Sequence, residues 1–363
     1  MRARPNASFH ILGITAFSLL LTAKLAGAAT IGIVAPQTGP YASLGEQIIR
    51  GASAALGVQD RAVTIHETCE PGSGKAIAEQ LRNEGIEIAI GFLCVETLAD
   101  VLPELKDSQI PAMTVAVRSR LLAEDAQRNG WPFFRLAPAD GQEAAAMADA
   151  VLTHWQNQSV ALVDDGTIYA RDLISAVRQK LEAGGIKPVF VDTFRPGQEQ
   201  QLALVRRLAK AGATRVVVGG DRSDVAIMAR DAQKEGSSLV FMGGDVMRAA
   251  NRPVPLSDGV LAVALPDYAK LPDADDAVSI MQIADFVPEG YALPAYAAVQ
   301  TVIAAAEKAK GEDKRLESAL HGTSFNTAIG TISFQQNGEL ADNPFRLQEW
   351  RHGGWLPFDQ VTE

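Results

Sequence analysis

The 363-residue sequence predicts an α/β protein of two similar lobes, each a doubly wound parallel sheet with helices on both faces. Three observations carry this. Short apolar runs alternate with amphipathic stretches along most of the chain. The alternation comes in two successive series, near residues 30–137 and 138–250. The chain is also longer than one hydrophobic core usually organises, so two cores are expected.

"TIGIVA" (30–35) reads as a buried strand. In the "GEQIIRGASAALG" that follows, Ile48, Ile49, Ala52 and Leu56 fall on one helical face. "AVTIH" (62–66), "IEIAIG" (86–91) and "PAMTVA" (111–116) are further strands, separated by helical stretches. Asp140 and Glu143 have the spacing of a capping box and open a helix to about Trp155. "SVALVDD" is the next strand. Leu173, Val177 and Leu181 then repeat at i, i+4, i+8 in a helix that Gly184 can end. "KPVFVD", a helix through Leu202, Val205 and Leu208, "TRVVVGG", another helix and "SLVFMGGD" complete the second series. An alanine-rich helix from Ala295 to about Lys310 and late strands near 329–334 and 346–351 must join lobes already begun, since this tail makes a poor third core. The Pro-bearing stretches "FRLAPAD" (134–140) and "VALPDYA" (263–269) are the natural breakpoints.

At the N-terminus, Arg2 and Arg4 precede an uncharged apolar run from Ile11 to Ala23, and Ala26-Gly27-Ala28 offers the small residues of a cleavage site. Residues 1–28 are therefore expected to be a secretory signal peptide. The run is short of the roughly 20 residues that span a bilayer, which disfavours the alternative of a retained anchor. Losing Arg2, Arg4 and Lys24 would take the net charge from −10 to −13. So acidic a chain repels nucleic acid and anionic lipid, and no basic patch with interleaved aromatics appears. The two cysteines, Cys69 and Cys94, would meet an oxidising compartment and are expected to form a disulfide; the alternative is two buried free thiols.

Motifs for catalysis are missing. "EPGSGKAI" (70–77) fails as a phosphate loop, because Cys69 and Ala76 stand where Gly and Ser or Thr are needed. There is no G-x-S-x-G elbow. The histidines His10, His66, His154, His321 and His352 lack metal-ligand spacing. Neither an enzyme nor a cofactor or metal is expected. Open α/β sheets do bind ligands beyond the carboxyl ends of their strands. Asp164-Asp165, Gly219-Gly220-Asp221 and Gly243-Gly244-Asp245 occupy such ends, either as ligand groups or as turns in which Asp caps a helix.

"IGIVAPQTGPYASLGEQIIRGASAAL" resembles the opening of type I periplasmic binding proteins of the branched-chain amino acid transporter class. The resemblance continues through "HETCEPGSGKAIAEQL", "AIGFLCVETLADVLPELKDSQIPAMTVAV", "VALVDDGTIYARDL", "FMGGDV", "YALPAYAAVQTVIAAA" and "NTAIGTISF". It implies two lobes joined by a three-segment hinge, with crossings near 137, 265 and 328. Lobe 1 would hold 29–137 and 266–328, and lobe 2 138–265 and 329–363. It also implies a periplasmic monomer that captures a small molecule by hinge closure and delivers it to an ABC transporter permease. A sensor domain of the same fold is the alternative, although the chain ends at Glu363 with no signalling segment.

By the same resemblance, Val95, Glu96, Ala116 and Arg118 are expected around a ligand carboxylate. Asp245 and Tyr169 would face an ammonium group, and Leu44 and Asp221 would line the rest of the pocket. The chain departs from the pattern, since Val95, Glu96 and Arg118 stand where hydroxyl residues are usual, and Leu44 and Asp221 where tyrosine is common. Branched-chain amino acids are thereby put in doubt. Arg118 either replaces the lost hydroxyls as a bidentate carboxylate partner or neutralises Glu96 or another acid.

Overall fold

The computed structural model describes residues 29–360; the signal-peptide expectation lies outside them. The first series is β1 (Thr30–Ala35), α1 (Ala42–Ala54), β2 (Arg61–His66), α2 (Gly74–Asn83), β3 (Ile88–Gly91), α3 (Val95–Leu105), β4 (Ala112–Thr114), α4 (Arg120–Asn129) and β5 (Phe133–Arg135). The second is α5 (Gln142–His154), β6 (Val160–Asp164), α6 (Ile168–Ala183), β7 (Phe190–Thr193), α7 (Leu202–Lys210), β8 (Arg215–Gly219), α8 (Arg222–Lys234), β9 (Val240–Gly243) and β10 (Leu261–Ala264). The remainder is α9 (Asp275–Ile283), α10 (Ala292–Gly311), α11 (Leu316–Leu320), β11 (Ser324–Thr327), β12 (Gly330–Ser333), β13 (Arg346–Arg351) and β14 (Gly354–Pro357).

The first sheet has the order β2-β1-β3-β4-β5 and is parallel throughout. The second, β14-β13-β10-β9-β8-β6-β7, repeats that order in its parallel part and adds β13 and β14 as antiparallel edge strands. Central strands such as Ile31, Ile33, Ile88 and Ile90, or Val216, Val217 and Val218, are buried on both faces, as expected of sheets covered by helices. In each sheet the order reverses beside one strand, between β1 and β3 and between β6 and β8. A crevice opens there at the carboxyl ends.

The alanine-rich helix α10 returns to the first lobe and packs on α1. It is buried nearly all round, and its small side chains permit close approach. A Cβ on Gly51 of α1 would overlap the Ala292 carbonyl, so glycine is required at that contact.

The third crossing lies later than the expected 328. Ile332, Phe334 and Leu340 pack in the first core, and Phe334 meets Phe134 edge-on with ring centroids 5.3 Å apart. The strand expected near 329–334 pairs with β11 in a separate two-stranded hairpin instead of entering a main sheet. Charge and backbone complete the attachment. The Arg135 guanidinium, 1% exposed, forms a two-bond ion pair with Glu339, with Nε to Oε2 at 2.9 Å, and gives a further bond to the Ser119 carbonyl. The Arg135 N–H donates to the Gly338 carbonyl. Removing one partner of so buried a pair costs about 3–5 kcal/mol. The chain passes to the second core only between Leu340 and Phe345, where the Asn343 side chain donates to the Gln142 carbonyl.

Cys69 and Cys94 are bridged. Beside them Glu67, 1% exposed, accepts the Leu93 N–H (2.8 Å) and Cys94 N–H (2.9 Å) at the start of α3, where the helix end favours an anion. Glu67, Cys69 and Cys94 lie close enough to suggest a metal site, but sulfurs bonded to each other offer no thiolates. Burial dominates the Glu67 carboxyl and raises it from 4.5 to about 7 against those two hydrogen bonds. In that interval the native chain binds the proton that the unfolded chain has released, so stability falls as pH rises from about 4.5 to about 7. The fall is about 3 kcal/mol at 1.36 kcal/mol per pH unit. In Glu67→Gln this contribution should vanish, and denaturant titrations of both proteins across that range would show their stability difference changing with pH. A constant difference would refute the assignment.

Candidate functional site

Arg118 follows β4 in the first lobe and Asp245 follows β9 in the second. Arg118 Nη2 lies 3.8 Å from Asp245 Oδ2, across the lobes. The other Asp245 oxygen, Oδ1, accepts the Leu265 N–H (3.0 Å) at the end of β10. The acid that Arg118 faces is Asp245 and not Glu96.

Glu143, in the first turn of α5 and 8% exposed, organises the second-lobe side. Its Oε1 accepts the Asp245 N–H (2.7 Å), and the Tyr169 hydroxyl from α6 donates to both carboxylate oxygens (2.9 and 2.8 Å). The capping-box expectation fails here. Gly141 is the N-cap, Asp140 accepts the Arg120 N–H, and the Glu143 side chain turns into the lobe interface because two donors are aimed at it there. Burial and then the Asp245 charge push the Glu143 carboxyl up, while the Asp245 N–H, the Tyr169 hydroxyl and Arg118 hold it down. Burial and the facing Glu143 carboxylate push the Tyr169 phenol well above its ordinary value. Tyr268, next along the crossing, is pushed up to about 12, first by burial and then by Asp245.

Arg118, Glu143 and Tyr169 line one cavity of about 660 Å3, whose apolar wall is Leu121, Leu173, Ala176 and Phe345. Asp245 borders a second, of about 420 Å3, with Arg248, Asp267 and Tyr268. Asp221 belongs to a third, of about 790 Å3, beside Asp224 and the 196–200 loop. It stands at the N-cap of α8, but its side chain makes no capping bond. Leu44, half-buried in the first turn of α1, and Val95 and Glu96, exposed at the start of α3, ring the carboxyl end of the first sheet with Ala116. The expected residues thus lie at strand ends of both lobes, and Arg118, Tyr169 and Asp245 come together through Glu143.

Glu143 is the residue that sequence reasoning missed. Its signal was Gly244: a Cβ there would overlap Glu143 Oε1, so the glycine before Asp245 makes room for a carboxylate. In Gly244→Ala that carboxylate must leave its two donors, at about 1–3 kcal/mol for an overpacked site. With Glu143→Ala already present the same change should cost much less. Denaturant unfolding of the two single variants and the double variant would measure the coupling, and additive costs would refute this account of Gly244.

Comparison with known proteins agrees with this architecture. The "Leu/Ile/Val-binding protein homolog 3" of Brucella melitensis is 29% identical over 340 residues, covering 89% of this chain and 92% of the relative. An ABC transporter substrate-binding protein from Desulfitobacterium hafniense, solved in complex with Leu, shares the fold with a TM-score of 0.65 at 19% identity, over 91% of this chain and 99% of that one. A solute-binding protein from R. palustris, solved in complex with benzoate, shares it with a TM-score of 0.59, also at 19% identity, over 92% and 96%. Residues 28–354 match the family described as periplasmic binding protein, and the chain belongs to that family.

Proposed function

We propose that this chain is the periplasmic substrate-binding component of an ABC importer, a monomeric binder and not an enzyme, which captures a small amino acid-like solute between its lobes. Family membership and the Leu/Ile/Val-binding relative support the class. The bridged Cys69–Cys94 pair suits an oxidising compartment. The chain crossings form the hinge about which ligand closes the lobes, and the closed form is what the permease reads.

One observation carries the ligand reading: the Arg118–Asp245 pair joins the two lobes at the strand ends. The pair is long and partly solvated, so it contributes at most about 1 kcal/mol and breaks easily. A ligand carboxylate taking Arg118 alone would strand Asp245 beside Glu143. A ligand with both a carboxylate and an ammonium group replaces each half of the pair, and by bridging the lobes it ties capture to closure. Leu44, Val95, Ala116 and Asp221 are the flanking contacts of this reading, and Glu96 lies at its rim.

A thermal-shift screen of amino acids, aromatic acids, amides and polyols identifies the solute, since a native-state ligand raises the melting temperature. Calorimetric titration should then show Arg118→Ala losing about 2–5 kcal/mol of affinity, the cost of leaving a buried charge unpaired. A loss under about threefold, roughly 0.6 kcal/mol, would remove Arg118 as the anchor. Saturating ligand should also lower the radius of gyration in small-angle scattering, and an unchanged value would count against hinge closure.

A further inference from the structure

Glu143 is almost fully buried, yet the carboxylate lines the cavity at the lobe interface, and the groups hydrogen-bonded to it, the Asp245 N–H and the Tyr169 hydroxyl, are donors. Its two fixed donors are the Asp245 N–H and the Tyr169 hydroxyl, both at positions assigned to the ligand, and Gly244 is bare so that it can reach them. The pair it touches is electrically balanced, Arg118 against Asp245. An ionised Glu143 therefore adds a negative charge beside that balanced pair.

We propose that Glu143 is a positioning and charge-selecting residue of the lobe-interface site: it fixes the Tyr169 phenol and the Asp245 backbone, and its negative charge makes the site favour ligands that carry an ammonium group over bare carboxylates. The inference rests on the ligand reading above for its second half only. The charges that face Glu143 come from three elements: Asp245 on the turn after β9, Arg118 on the loop after β4, and the titratable Tyr169 on α6. Arg120, Asp140 and Asp172 share the same cavity. A bare carboxylate brought to Arg118 would face both Asp245 and Glu143, whereas an added ammonium group balances the Glu143 charge. Protonation of Glu143 removes that charge, so the preference should weaken at acid pH.

The test has two arms on the full chain. In the ligand-free protein, carboxyl carbon resonances are titrated by NMR, with Glu143→Gln to assign Glu143 and Glu67→Gln to set aside another buried glutamate that burial raises. The Glu143 resonance should titrate above the ordinary glutamate range. Its midpoint should fall in Asp245→Asn and rise in Tyr169→Phe and Arg118→Met. If Glu143→Gln fails to fold, the shifts of one glutamate resonance in the other variants identify it. An ordinary midpoint that ignores all three substitutions would overturn the proposal, and a purely structural role would lower melting temperature without moving the leucine-to-benzoate affinity ratio. In the second arm, L-leucine and benzoate are titrated into wild type and Glu143→Gln. The affinity ratio should move about tenfold toward benzoate in the variant, the scale of one changed charge contact. An unchanged ratio overturns charge selection. Failure of both probes to bind wild type counts against the ligand reading, while the carboxyl titration still decides the role of Glu143.

Discussion

Parallel pairing of β1 with β3 and of β6 with β8 is the constraint on which the site depends. Because each sheet continues in both directions from a central strand, the loops on either side of that strand diverge and leave an open crevice at its carboxyl end. The chain then has no choice about where polar residues go. Strands buried on both faces tolerate only apolar side chains, so charge collects at their ends, at Asp164-Asp165, Asp221 and Asp245 in the second lobe and at Glu96 and Arg118 in the first. The cleft chemistry is thus a consequence of burying the sheets.

The charges are uneven. In the second lobe the strand ends are acidic, and no ion pair is formed by Asp165, Asp221 or Asp224 among the described residues. The first lobe supplies Arg118 to the shared interface. An arginine contributed by one lobe to an acid of the other favours approach of the two halves, but at 3.8 Å and partly wet it does so weakly. A weak bridge suits the hinge closure proposed for this chain, because a strong one would hold a single state whatever the ligand. Rigidity is placed elsewhere, in the buried carboxylate of Glu143 and the Arg135–Glu339 pair near the crossings, whose guanidinium is buried.

That second pair explains why the last crossing comes late. After β11 the chain holds alternate apolar residues, Ile332, Phe334 and Leu340, that could serve either core. Arg135 decides between them. Its guanidinium is buried under the first sheet and needs a carboxylate, and Glu339 is the one delivered when the hairpin folds against Phe134. Past Asn343 and Phe345 the chain adds β13 and β14 to the second sheet.

The alternation of short apolar runs with amphipathic stretches by itself determined the α/β class, the two cores and most strands, because strands buried on both faces read as short continuous apolar runs between helical periodicities. The strand-end positions of Arg118, Tyr169 and Asp245 were legible as well, through the resemblance and the Gly-Gly-Asp turns. Three things were decided only by the tertiary structure. The antiparallel edge strands and the late crossing depend on partners more than 80 positions away in sequence, such as Ala264 with Arg346 and Arg135 with Glu339. The partner of Arg118 depended on how the lobes face each other, which no local pattern encodes. Glu143 read locally as a capping residue, since its spacing from Asp140 fitted one, and it became a buried site residue because Tyr169 and the Asp245 amide, from two other elements, converge on it with donors.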